Sequence, residues 1–192
     1  MTLLKVENLF KQYGSQVILE NVNFEIKNGE IVGLVGRNGC GKTTLMKLIL
    51  GLASPTHGNI EKKDGVKFGF LLDCKVFEFL SGAENLKLIG SYGPSSPLVT
   101  RVEELLEFVG LPNDKRKVKD YSFGMKQRLS LALALLEEPD FLILDEPFTG
   151  LDEDTKQEAA RYILSRRRGR LFIFSSHQEE EGRLLGAEIL HL

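Results

Sequence analysis

Ile31-Val32-Gly33-Leu34-Val35-Gly36-Arg37-Asn38-Gly39-Cys40-Gly41-Lys42-Thr43-Thr44 opens on an apolar run short enough for a buried strand. A glycine-rich segment follows, and then Leu45, Leu48, Ile49 and Leu52 recur at helical spacing. Strand, glycine-rich loop, Lys-Thr and helix are together the setting in which G-x-x-x-x-G-K-[ST] reads as a phosphate-binding loop. Bare glycine backbone can curl so that successive N–H groups point at one anion, and the positive end of the following helix adds to that field. Lys42 is then placed for terminal phosphates and the Thr43 hydroxyl for Mg²⁺. A mere Gly-rich turn is the bland alternative, and it needs neither the strand before nor the helix after. The stretch predicts a site for a nucleoside triphosphate.

Working outward, 192 residues suit one α/β domain with room for a small inserted lobe. Hydrophobic residues make up 42%, enough for a substantial core, and the net charge of −2 supplies no basic field for nucleic acid or an anionic membrane. Cys40 and Cys74 stand far apart with no CxxC or His cluster beside them, which argues against a zinc site or a disulfide framework. No run approaches the length of a membrane span, and Met1-Thr2-Leu3-Leu4-Lys5 lacks the basic-then-apolar layout of a signal peptide. The expectation is a soluble intracellular protein.

Before the loop, Leu3 to Leu9 and Val17 to Ile26 alternate as strands of an antiparallel sheet, with a turn at Tyr13-Gly14-Ser15. Asn28-Gly29 is a tight turn into the loop strand. After the loop helix, Gly51 is a stop and Ser54-Pro55-Thr56-His57-Gly58 a connector. Val66 to Leu72 reads as a strand. From Ser81 to Lys117 the texture turns helical, with helices over Ala83 to Ile89 and Val99 to Val109 joined by a linker, Gly90 to Pro97, as in a separate small lobe. Met125 to Glu138 is a third helix, ended by Pro139. Phe141 to Leu144 is a fully buried strand, Glu153 to Arg167 a helix, and Leu171 to Phe174 a strand. His177, a short acidic helix and a last strand, Ala187 to Leu192, complete the chain. This alternation predicts an α/β fold with a mostly parallel sheet covered on both faces. Ligands of such sheets bind at the carboxyl ends of the strands, where the phosphate loop, Asp145-Glu146 and Ser175-Ser176-His177 all fall.

Asp145, at the tip of four apolar residues, is a candidate Mg²⁺ carboxylate opposite Thr43. On extended backbone the neighbouring Glu146 faces the other way, toward an attacking water, as general base or water positioner. The alternative is a helix cap or a solvated side chain.

Gly36 to Thr44, Tyr121-Ser122-Phe123-Gly124-Met125, Leu144-Asp145-Glu146-Pro147, Thr149-Gly150-Leu151-Asp152 and His177 stand in the order and spacing of an ABC-type ATPase, and the chain resembles that family over nearly its whole length. The resemblance implies a P-loop NTPase of ABC type: a single domain over 1–192 with an N-terminal antiparallel β-subdomain. Residues 1–80 and 118–192 form its core and 81–117 its inserted α-helical lobe, with the signature loop 121–125 at the lobe's edge. It implies ATP and Mg²⁺ as ligands. Nucleotide is held by Tyr13 (stacked on adenine), Gly36, Arg37, Asn38, Gly39, Cys40, Gly41, Lys42, Thr43 and Thr44. Thr43 and Asp145 hold the metal. Lys42, Glu146 and His177 are catalytic, His177 as the switch histidine at the γ-phosphate, and Asp152 belongs to a loop that communicates across a dimer. Tyr13 read without the family is an ordinary turn residue.

Tyr121 to Met125 is similar to the family's signature, in which Ser122 and Gly124 bind the γ-phosphate held by an opposite subunit. Ser122 is equally a good N-cap for the helix that follows, and the two roles are compatible. Phe123 and Met125 replace Gly and Gln of the usual signature. The Gln that normally follows the Val66 to Leu72 strand is missing, since no Gln occurs from Val17 to Lys126. By position its substitute is Asp73, catalytic and metal-linked if its shorter, ionised side chain reaches; otherwise it is a solvated loop residue. A carboxylate there, with Tyr-Ser-x-Gly-Met and Leu80-Ser81-Gly82-Ala83-Glu84-Asn85, is similar to the ATPases of bacterial transporters that expel bacitracin and lantibiotics. The implied partners are transmembrane permease subunits and a second ATPase subunit, the same or related, on the cytoplasmic face of the membrane, with no nucleic acid. A non-transport ABC ATPase of the assembly-scaffold type is the competing reading. Lys115-Arg116-Lys117, Arg166-Arg167-Arg168 and Glu179-Glu180-Glu181 read as solvated faces. Cys40, among loop N–H dipoles and beside Lys42, is a candidate reactive thiol.

Overall fold

The computed structural model describes residues 2–72, 76–90, 98–165 and 171–192. Its first two strands, β1 (Thr2–Tyr13) and β2 (Gln16–Lys27), pair antiparallel as a hairpin with its turn at Gly14-Ser15. After β3 (Ile31–Val35) and the glycine-rich loop comes helix α1 (Lys42–Leu50), which Gly51 ends in the left-handed conformation at φ 77°. The chain then returns to β1 as β4 (His57–Lys62), giving a three-stranded antiparallel sheet ordered β2-β1-β4. This corrects the connector expected at Ser54 to Gly58. His-Gly-Asn-Ile-Glu-Lys carries a single apolar residue, so it shows no alternation, and its pairing with β1 (Val6 opposite Ile60) is what makes it a strand.

β5 (Phe68–Leu71) is followed by α2 (Gly82–Gly90), α3 (Leu98–Phe108), α4 (Phe123–Leu135), β6 (Phe141–Leu144), α5 (Glu153–Ser165), β7 (Leu171–Ser176), α6 (Glu179–Leu185) and β8 (Glu188–His191). The linker 91–97 and the cluster 166–168 lie outside the described residues, as does Asp73. α4 begins two residues before Met125 and stops at Leu135. Glu138, the residue before Pro139, sits at φ 47°, outside the right-handed helical region.

β5, β6, β7, β3 and β8 form a parallel sheet in that order. Alternate residues of its strands enter different cores, as the pleat requires. Ile31, Leu142, Leu144, Phe172 and Phe174 join the core built with α2 to α6, whereas Val32, Leu34, Phe141, Ile143 and Ile173 face α1 and the antiparallel sheet. β7 is longer than the apolar run suggested. Ser175 and Ser176 continue its register opposite Leu34 and Val35 and are buried, rather than lying past the strand end. α2 and α3 pack on each other and on α4, and their Leu86, Val102, Leu105 and Leu106 belong to the same core as β6 and β7. No helix among the described residues is long and apolar enough to cross a membrane.

Candidate functional site

In the order β6-β7-β3, the loop after β3 and the acidic pair after β6 flank the tip of β7. The loop's backbone curls through Gly39 and Gly41, at φ 85° and 109°. Gly41 is also the N-cap of α1, and no side chain caps that helix. A Cβ there would stand 2.8 Å from Leu19 Cδ2 and 3.1 Å from the Ile18 carbonyl, so only glycine fits between the loop and β2. Lys42 is 5% exposed, and its ammonium donates to the Gly36 carbonyl (2.7 Å) and the Arg37 carbonyl (3.2 Å), spanning the loop it follows. Cys40 turns across the loop toward Gly36, on which a Cβ would stand 2.6 Å from its sulfur.

Thr43 Oγ1 donates to Asp145 Oδ2 at 2.6 Å, tying the first turn of α1 to the tip of β6. Asp145 Oδ1 accepts from Ser175 Oγ at 2.5 Å, and the same serine oxygen accepts the Glu146 N–H at 2.8 Å. One hydroxyl from the middle strand therefore serves both acidic residues. Glu146 is not on extended backbone as expected: its φ is 49°. What parts its side chain from that of Asp145 is this left-handed turn, not strand alternation. Its carboxylate accepts from Thr149 Oγ1 (3.2 Å), and its carbonyl accepts from Thr149 N–H (3.2 Å) and from Gln127 Nε2 (3.1 Å). Thr43, Asp145, Glu146, Thr149, Gln127, Phe123, Leu71 and Leu72 line one open cleft of about 270 Å³.

The chemistry of this donor set fits a divalent cation that arrives with phosphate. Among the described residues no group of three or more His, Cys, Asp or Glu side chains could hold a metal on its own. Thr43 and Asp145 offer one hydroxyl and one carboxylate, the short protein ligand set of Mg²⁺ sites that take their remaining oxygens from phosphate and water.

Ser122 caps α4, its Oγ accepting the Met125 N–H at 3.2 Å. Tyr121 is a core residue between α2 and α4, its hydroxyl so close to Gly82 that a Cβ there would meet it at 2.9 Å, and burial raises its phenol above the ordinary value. Gly124 lies against the loop after Glu146, since a Cβ on it would come within 2.8 Å of the Gly150 carbonyl. Asp152 caps α5, and the Thr155 N–H (2.9 Å) and hydroxyl (2.8 Å) hold its carboxyl below the usual range. Tyr13 stands at the hairpin tip, 52% exposed, with the Lys11 ammonium 4.5 Å from its ring centre. His177 is exposed just past β7, its ring beside the Gln178 amide.

Gln127, Thr149 and Ser175 reach the acidic pair; Thr149 and Ser175 stand in stretches the sequence already marked, whereas nothing in its spacing marks Gln127. Glu181 is a correction to the solvated acidic face: it is 7% exposed, accepting from Ser176 Oγ (2.8 Å) and Lys156 (3.3 Å). A helix docked on β7 buries one face, and the third glutamate is on it. Lys117 pairs with Glu84 at 2.8 Å on the surface.

The family profile described as ABC transporter matches residues 19–149. The bacitracin transport ATP-binding protein of Enterococcus faecalis is 41% identical over 191 residues, covering 91% of this chain and 61% of that protein. The lantibiotic transport ATP-binding protein of Streptococcus pyogenes is 41% identical over 186 residues, covering 91% of this chain and 80% of its own length. The chain thus spans about three fifths of the bacitracin relative's length. Among solved structures, a dimeric ATP-binding cassette in a post-hydrolysis state, bound to ADP and Pi, superposes with a TM-score of 0.86 at 26% identity, covering 99% of this chain and 94% of that one.

Proposed function

The chain belongs to the ABC transporter family, and from that premise and the cleft geometry we propose that it binds and hydrolyses ATP to drive a transporter. The observation that carries the reading is the Thr43–Asp145 bond of 2.6 Å, which sets a cation-binding pair beside the phosphate loop and within one residue of Glu146. The loop from Gly36 to Thr44 holds the phosphates, with Lys42 leaving its loop carbonyls for the terminal oxygens and Tyr13 meeting the base. Thr43 and Asp145 would hold Mg²⁺, which would supply charge neutralisation to the phosphates. Glu146 orients the attacking water, and His177, exposed at the tip of β7, closes on the γ-phosphate. Asp73 is the carboxylate the sequence offers for the metal side after β5. Phosphoryl transfer needs mainly positioning and charge stabilisation, and one chain supplies only part of both. Ser122 and Gly124 of a second ATPase subunit supply the rest by closing over the nucleotide.

The partners in the membrane are permease subunits, with this chain peripheral on the cytoplasmic face. Phe77 and Phe79, the latter 70% exposed, form an apolar edge before α2 that suits a permease helix. The named relatives make bacitracin-like or lantibiotic peptides the first substrates to try. The test is Glu146→Gln. It should cut turnover by roughly 10²–10⁴-fold, the usual worth of a general base, and accumulate an ATP-bound dimer on size exclusion. A monomer at saturating ATP, turning over at the parental rate, would overturn the scheme.

A further inference from the structure

Glu146 stands in a conformation that its own chemistry disfavours. A non-glycine residue in the left-handed region is strained and persists only where its surroundings over-determine it. Three hydrogen bonds fix its peptide groups: Glu146 N–H to Ser175 Oγ, and Thr149 N–H and Gln127 Nε2 to the Glu146 carbonyl. Ser175 is on β7 and Thr149 is in the same turn. Gln127 alone of the three comes from α4. Gln127 is 7% exposed, so an unpaired amide N–H there would be costly, and the bond to the Glu146 carbonyl satisfies one.

The other end of the linkage lies one turn earlier on the same helix. Ser122 caps α4, and Gly124 sits so close to the Gly150 carbonyl that no Cβ fits between them. Gly150 in turn is roofed by Phe123, whose ring a Cβ on Gly150 would meet at 2.9 Å. The first two turns of α4 and the segment from Glu146 to Gly150 therefore meet at both ends, Phe123 and Gly124 on Gly150 and Gln127 on Glu146. A shift of one is passed to the other through these contacts.

We propose that Gln127 is a positioning residue for Glu146: through its amide, the placement of the first turn of α4 sets the backbone, and hence the carboxylate, of the residue that orients water. The inference rests on the catalytic reading of Glu146 given above. Its consequence is directional. A phosphate bound at Ser122 and Gly124 belongs to the nucleotide of the opposite chain, yet the carboxylate it adjusts belongs to this chain's own site.

The experiment compares Gln127→Leu, which keeps the volume and loses the donor, with Gln127→Glu, which keeps the length and presents an acceptor to the carbonyl. Each should lower kcat about tenfold, the worth of one hydrogen bond of about 1.4 kcal/mol, while KM for ATP stays within about twofold because the phosphate loop is untouched. In the Glu146→Gln background under single-turnover conditions, adding Gln127→Leu should deepen the loss less than about twofold, since residues acting as a unit are non-additive. The doubly substituted chain should still form the ATP-bound dimer. Either variant turning over at the parental rate beside an impaired Glu146→Gln overturns the positioning role. So does a raised KM, or a loss that multiplies with that of Glu146→Gln, because a general loosening of α4 would give both. Glu146→Gln at the parental rate removes the catalytic reading itself. If Gln127→Leu fails to fold, Gln127→Glu carries the comparison.

Discussion

At Ser175 one hydroxyl donates to Asp145 and accepts from the Glu146 N–H. Ser175→Ala would leave the Glu146 N–H without its acceptor and Asp145 with Thr43 but not Ser175 as donor, and the cost should be about 1–3 kcal/mol of stability, read from urea denaturation. Turnover should fall with it, because Asp145 and Glu146 lose their common fixed point. Gly124→Ala acts differently. Its Cβ meets a backbone carbonyl at 2.8 Å, which cannot rotate away as a side chain would, so the first turn of α4 must move. ATP should still bind to the single chain, followed by fluorescence of a nucleotide analogue, while hydrolysis drops at least tenfold. Equal loss of both would show that the damage reaches the phosphate loop. The residues of the loop, with Asp145 and Glu146, were legible because each is fixed by its neighbours in sequence. That Ser175, Gln127 and Thr149 hold the acidic pair was not, because those contacts depend on which strand lies between which and how one helix leans on a turn.

Among the elements, α2 shows how a local motif is set. Ser81 Oγ accepts the Glu84 N–H (3.2 Å) while Glu84 Oε2 accepts the Ser81 N–H (2.6 Å), a reciprocal capping box. The Lys117 ammonium, and then the Ser81 N–H, hold the Glu84 carboxyl down to about 2 from the ordinary 4.5. A depressed folded-state pKa stabilises above the unfolded value and is lost as pH falls through the folded one, here between about 4.5 and 2. The stability difference between the parental chain and Glu84→Gln should therefore shrink over that window. Because Glu84 is exposed the difference should be small and weaken further with salt; a difference constant down to pH 2 would refute the assignment. β6 and β7 respond to size instead. Phe174 is buried, and its ring fills the space that Gly33 leaves, where a Cβ would meet it at 2.9 Å. Phe174→Ala should cost about 3–5 kcal/mol by urea denaturation. Runs such as Phe141 to Leu144 were readable as strands because burial on both faces writes itself as unbroken apolar sequence. β4 was not, since an edge strand held by backbone pairing needs no apolar pattern.

For the whole molecule, a composite site predicts that turnover per chain rises with chain concentration and levels off once pairs dominate, whereas a self-contained site gives a flat line. Chelation of Mg²⁺ should abolish turnover at every concentration. The strand order adds a consequence of another kind. β3 and β6 are not neighbours, and β7 separates them. A ligand gripped by the phosphate loop on one side and by Asp145 on the other therefore acts as a clasp over three strand tips, tying together two strands that do not pair with each other. By mass action such a ligand at a hundred times its dissociation constant adds about 2.7 kcal/mol to the folded state. ATP with Mg²⁺ should raise the melting temperature more than ATP alone. The excess should vanish in Asp145→Asn, because without the far anchor the clasp has only one end.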